Sequence, residues 1–176
     1  MKRVTLLVSL ALAALPVVAS AQVGFGAAAG AAFPMGDYGK IYDSGYHAQA
    51  SLNVNIPLAP IGFRFDGTLD HFGAKSSAIS GSSRIIGGEA NVLMGFGAVP
   101  LLGPYLIAGV GAYNVNTEVG ASSSSGTKLG GSVGAGIRFG LAGFGVFAET
   151  GYHYIQASST GATAPSYVPV MFGISF

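Results

Sequence analysis

The chain has 176 residues, 29 of them glycine, none cysteine, and only 9% are charged although half are hydrophobic. A formal net charge of +1 gives no electrostatic case for nucleic acid, and the lack of cysteine excludes disulfides, thiolate metal sites and a lipidated cysteine. Past the N-terminus no apolar run reaches the roughly 20 residues that a spanning helix needs, so another pattern must carry the apolar content.

Residues 1–21 read as a cleaved secretory leader. Lys2 and Arg3 form the basic start, Val4–Leu15 the apolar stretch, and Ala19-Ser20-Ala21 a small-residue cleavage site, so the mature chain is expected to begin at Gln22. Without Lys2 and Arg3, six basic residues face seven acidic ones, a net charge of −1.

The remainder, 22–176, reads as one domain of eight alternating segments. In the first, Val23–Phe33, the residues Val23, Phe25, Ala27, Ala29, Ala31 and Phe33 share one face. Glycine at positions 24, 26 and 30 on the other face argues against a helix. A polar connection, Pro34–Ser44, follows. The second segment sets Tyr46, Ala48, Ala50, Leu52, Val54 and Ile56 against His47, Gln49, Ser51, Asn53 and Asn55, and Pro57–Pro60 turns the chain. The third, Gly62–Phe72, opposes Phe63, Phe65 and Leu69 to Arg64, Asp66, Thr68 and Asp70.

After a Ser-rich connection, Gly73–Ser83, the fourth segment (Arg84–Val99) alternates Ile86, Ala90, Val92, Met94 and Phe96 with Glu89, Asn91 and glycines. The fifth, Pro104–Thr117, is irregular. Asn114 and Asn116 put the even positions inward, but Leu106 and Val110 then point inward as well, which requires a bulge or an apolar lumen patch. A loop around Ser123, Ser124 and Ser125 is expected next. The sixth, Lys128–Phe139, opposes Leu129, Val133, Ala135, Ile137 and Phe139 to Lys128, Ser132 and Arg138. A short turn, Gly140–Gly143, leads to the seventh, Phe144–Ile155, where Val146, Ala148, Tyr152 and Tyr154 oppose Glu149 and His153. After Ala157–Ser166 the last segment, YVPVMFGISF, puts Val168, Val170, Phe172, Ile174 and Phe176 on one apolar face. Such a stripe suits lipid, and such a strand can close a barrel against the first.

Connections alternate long and short, as in an up-and-down barrel with short periplasmic turns and longer outer loops. Tyr46, Tyr113, Tyr152, Tyr154 and Tyr167 gather at the expected outer ends, and Phe25, Phe63, Phe96, Phe139, Phe144 and Phe176 at the inner ends. With these features, and the strand phrase PYLIAGVGAY (Pro104–Tyr113), the mature chain resembles the small OmpA/OmpX-type outer-membrane β-barrel proteins. The resemblance implies an all-β, eight-stranded antiparallel transmembrane barrel, multi-pass in the bacterial outer membrane and exported through the periplasm. It also implies that the terminal Phe176 is read by the outer-membrane assembly machinery. Nothing in these residues corresponds to the peptidoglycan-binding domain of larger OmpA proteins, so tethering to the cell wall is not expected.

Arg64, Asp66, Asp70, Glu89, Lys128, Arg138 and Glu149, with His47 and His153, face the expected lumen. They could line an ion path. In an eight-stranded barrel the interior is just wide enough for side chains, which favours a paired polar network that plugs it. The pairs Gly109-x-Gly111 and Gly134-x-Gly136 complete no nucleotide fingerprint. Barrel enzymes that modify lipid A use His, Ser and an acid near the outer rim. Here Asp70 and His71 are sequential on a strand and point to opposite faces, so neither they with Ser76 and Ser77, nor His153 with Ser158 and Ser159, specify a catalyst. Loop one, with Tyr38, Lys40, Tyr42 and Asp43, offers the one recognition patch, or else part of an aromatic belt. The expected role is structural or surface-interacting and not enzymatic, without cofactor or metal. The expected partners are outer-membrane lipid and lipopolysaccharide, in a monomer. A lipid A-modifying enzyme and a narrow solute pore are the alternatives.

Overall fold

The computed structural model describes residues 22–56, 59–75, 81–96, 102–120, 122–141, 143–157 and 163–176. The expected leader, Pro100 and Leu101 of the turn expected over Pro100–Gly103, and the serines at 76, 77, 158 and 159 lie outside them; Leu102 and Gly103 of that turn belong to a strand. Eight strands are described: β1 (Gln22–Pro34), β2 (Gly45–Asn55), β3 (Ile61–Gly73), β4 (Gly81–Gly95), β5 (Leu102–Val119), β6 (Ser122–Leu141), β7 (Phe144–Ile155) and β8 (Ser166–Ser175). Each pairs antiparallel with its sequence neighbours, and β8 returns to β1 to close the barrel. The final residue takes part in that closure: the Phe176 amide donates to the Phe25 carbonyl at 2.7 Å, and the Phe25 amide donates to Phe176 at 3.0 Å.

Side chains alternate between lumen and outer wall as the dyads predict. Val23, Phe25, Val133, Val170, Phe172 and Ile174 are exposed on the wall, while Gln49, Asn53, Arg64, Asp66 and Glu149 are buried inside. A strand sequence can satisfy both environments only by alternation, because successive side chains point to opposite faces. The inner-end phenylalanines are all exposed, as an interfacial girdle requires.

Four expectations are corrected. In β5 the odd positions face inward: Tyr105, Ile107, Tyr113 and Val115 are buried, whereas Leu106 and Val110 are 51% and 70% exposed. The register with β4 and β6 runs through β5 without interruption, so no bulge is needed. Asn114 and Asn116 point outward near the outer end, where a polar wall residue meets headgroups and water.

Second, Tyr113 and Tyr167 are fully buried in the lumen and do not join the outer girdle formed by Tyr46, Tyr152 and Tyr154. Third, Ser123–Ser125 are not a loop. They extend β6 to 20 residues, paired with the 18-residue β5 around a tight turn at Gly120 (φ 59°). A tilted strand crosses a bilayer in about 9–11 residues, so much of this hairpin rises above the membrane. Fourth, the first connection contains a short helix, α1 (Tyr38–Ile41), tied to the end of β3 by Asp43 N–H to Gly73 O at 2.8 Å and Lys75 N–H to Ile41 O at 2.9 Å.

Pro169 interrupts the seam between β7 and β8. The paired register runs from Gly145↔Ser175 to Thr150↔Val170 and resumes at His153↔Tyr167, skipping Gly151 and Tyr152. Proline has no N–H to give to the ladder. The Thr150 hydroxyl donates instead to the Pro169 carbonyl at 2.9 Å.

Replacing Val170 or Ile174 by Arg is expected to cost roughly 2–4 kcal/mol if the site lies near the bilayer midplane, and about 0–1 for Arg at the rim position of Asn116. Denaturant titration of the refolded barrel in lipid vesicles measures both. Equal costs at the wall and rim positions would contradict the placement of the lipid face.

Candidate functional site

The lumen holds the chemistry-bearing side chains, in layers set by strand register. Asp66 on β3 lies opposite Ser51 on one side and Glu89 on the other, and Arg64 lies two residues along, on the same inward face. Glu149 reaches the same level from β7. Arg64 is the hub: its Nε donates to Asp66 Oδ2 at 2.8 Å, and Nη1 and Nη2 each donate to Glu149 at 2.7 Å. A guanidinium presents a planar fork, so it can take a carboxylate bidentately while bonding a second one. Asn91 donates to Asp66 at 2.8 Å, and the Tyr105 hydroxyl donates to Glu149 at 2.6 Å. Both arginine and carboxylates are almost fully buried.

A second layer lies toward the outer end. His47 donates from Nδ1 to Asp70 at 2.7 Å, and the Tyr167 hydroxyl donates to the other Asp70 oxygen at 2.8 Å. Ser132 donates to Glu89 at 3.0 Å. His153 Nδ1 stands 3.3 Å from Glu89, an electrostatic approach without hydrogen-bond geometry, and its ring stacks on Tyr167 at 5.0 Å.

Above this layer an aromatic and aliphatic cluster fills the mouth. Tyr38 and Tyr42 pack at 4.6 Å, Tyr38 meets Phe72 edge-on at 5.5 Å, and Phe72 meets Tyr167 at 5.4 Å. Ile85, Tyr113, Val115 and Ile155 complete it. The loop-one tyrosines therefore face into the barrel. Tyr38 and Tyr42 are buried, which removes them from any recognition patch and from the belt. The exposed part of loop one includes Met35, Ile41, Asp43 and the Lys40–Asp37 ion pair at 2.7 Å, where the ammonium holds the Asp37 carboxyl below its ordinary value.

The remaining lumen cations behave differently from the expected mutual pairing. Among the described residues neither Lys128 nor Arg138 meets a carboxylate. Asp70 and Glu89 have histidines as neighbours instead. Arg138 lies near the inner end with its Cζ 5.7 Å from the Tyr105 ring centre. Tyr105 can lie against the wall because the facing residue is Gly136, where a Cβ would overlap the ring. Sequence reasoning missed Tyr105 and Tyr167 as network members. The odd-parity series Tyr105, Gly109, Gly111, Tyr113, bulky residues alternating with space, was the available signal.

His71, by contrast, points outward and stacks on Tyr46 at 5.3 Å. Asp70 and His71 thus stand on opposite sides of the wall, and no group of three metal-ligating side chains occurs among the described residues.

Residues 4–176 match the family described as the outer membrane protein beta-barrel domain. The chain belongs to that family, and it resides in the bacterial outer membrane. Its structure is similar to that of Neisserial surface protein A, with a TM-score of 0.67 at 19% identity over 88% of this chain and 97% of that one. It is also similar to a major outer membrane protein of Thermus thermophilus (0.56, 12%, 88% and 99%). A third is Ail, the attachment invasion locus protein of Yersinia pestis, solved with the heparin analogue sucrose octasulfate (0.54, 18%, 89% and 97%). At these identities the likeness is one of fold. No curated protein matches in sequence.

Glu149→Gln weakens one side of the Arg64 clamp, and breaking a buried pair costs about 3–5 kcal/mol when a charge is left uncompensated. Tyr105→Phe removes one hydrogen bond to a charged group, worth about 1.5–3 kcal/mol. Unfolding titrations should rank Glu149→Gln as the more damaging. The reverse order would place the hub elsewhere.

Proposed function

We propose that this chain is a closed, non-catalytic, monomeric outer-membrane barrel with a structural or surface-interaction role. One observation carries the reading: the void among Gln49, Arg64, Asp66, Glu89, Ser132, Glu149 and His153 is only about 10 Å³. Such a space holds about one water at most, whereas a conducting path needs a continuous file. The charged network supports the same conclusion, because Arg64 and Asp66 of β3, Asn91 of β4, Tyr105 of β5 and Glu149 of β7 are cross-linked in a low-dielectric interior. The aromatic cluster covers that network from outside.

Surface contact falls to what stands above the membrane: the Ser-rich β5–β6 hairpin, and the outer rim with Tyr46, His71 and Arg84 on the wall. Outer-membrane lipid and lipopolysaccharide are the partners that such a rim meets. The catalytic alternative loses support from geometry, since the His47–Asp70 pair is sealed below the cluster and His71 faces away from it. Phe176 completes the terminal apolar stripe and is proposed as the residue read during assembly.

Purified protein in a planar bilayer should give no stable conductance, and a steady ion-selective current would promote the pore reading. Deleting Phe176 should leave unassembled chains in the periplasm, measured by fractionation. Normal surface levels would remove the assembly role.

A further inference from the structure

A cavity of about 330 Å³ opens at the inner, periplasmic mouth, bounded by the ends of β2 to β6. Its rim and walls include Ile56, Pro60, Ile61 and Phe96, its floor is Leu93 and Tyr105, and Arg138 lines one side. The floor is solid. Leu93, Tyr105 and Ile107 form a buried apolar cluster that separates the cavity from the charged centre of the lumen. The cavity is therefore a dead end and not the entrance to a channel.

Its electrostatics are one-sided. The nearest carboxylate system, Glu149 with Asp66, is already bonded to Arg64, Asn91 and the Tyr105 hydroxyl. Arg138 meets no carboxylate among the described residues, and its Nε is buried without a hydrogen-bond partner. A buried donor of this kind is costly to leave unmade, more so on a charged group. The guanidinium is held over the Tyr105 ring, which fixes its position without neutralising it. Partly apolar walls with a few placed polar groups, here Arg138 and Asn55, are the usual composition of a small-molecule site.

We propose that this vestibule binds a compact organic anion from the periplasm, its apolar body on Leu93 and Tyr105 and its carboxylate on Arg138. The chemistry selects one negative charge on an apolar body. A neutral molecule of the same shape leaves Arg138 unpaired, and a cation is repelled by it.

The test uses 4-fluorobenzoate as probe and 4-fluorobenzyl alcohol as its neutral counterpart, followed by fluorine NMR on the refolded barrel in nanodiscs, with empty nanodiscs as the reference for partitioning. Saturable binding of the acid to the wild type is expected, weakened at least tenfold in Arg138→Gln and partly restored in Arg138→Lys. The alcohol should respond to neither substitution. A second measurement needs no variant: the Arg138 Nε–H resonance of the wild type should shift as the acid is titrated. Absence of saturable binding, equal binding of acid and alcohol, unchanged affinity in Arg138→Gln, or an unmoved Arg138 resonance would each overturn the proposal.

Discussion

Every part of this molecule answers to the closure of β8 on β1. In hydrocarbon an unpaired backbone N–H or C=O has no water to turn to, so a sheet that stops at an edge cannot stay there. The register from Gly26↔Ser175 to Pro34↔Tyr167 removes that edge, and Phe176 adds one more reciprocal pair with Phe25 beyond it. Closure then fixes a narrow interior. Once the wall is a cylinder of eight strands, half of all strand residues are committed to a space that only side chains can fill.

The filling solves an electrostatic problem by choice of partner. Arg64 meets two carboxylates at once, and two further donors, from Asn91 and Tyr105, bond the same Asp66 Oδ2 and Glu149 Oε2 that it bonds. Asp70 is matched by an imidazole and a phenol. Small inward residues are as necessary as the large ones: Gly87 and Gly130 stand where Tyr113 crosses the lumen, and a Cβ at either would overlap its ring. The network and the glycines are therefore one packing solution.

Much of the fold was legible in the sequence because lipid and lumen impose opposite chemistries on neighbouring residues. His47, Gln49, Ser51 and Asn53 against Ala48, Ala50 and Leu52 can be read in only one way. β5 failed because its lumen face is itself apolar: Tyr105, Ile107 and Val115 look like wall residues, while Asn114 and Asn116 are polar for being near the outer end. Polarity reports depth as well as side, and a one-dimensional pattern does not separate them. The loop-one tyrosines failed for a related reason. An aromatic near a membrane edge suits a belt, and only the path of α1 shows that Tyr38 and Tyr42 turn inward. Which carboxylate each cation meets was likewise beyond reach, since it depends on strands far apart in sequence, as with Arg64 and Glu149.

Pro169 gives the wall a grain. On the β1 side of β8 the register is unbroken past it, with Ala32↔Pro169 and Phe33↔Val168 in place. On the β7 side two successive positions are skipped, and a threonine hydroxyl stands in for the backbone. The register of the last strand is thus continuous with the first strand of the chain and interrupted with the strand that precedes it. Local opening of the cylinder is expected first along this line between β7 and β8, and the amide of Gly151, which points toward β8, is the natural first point of exchange with solvent protons there.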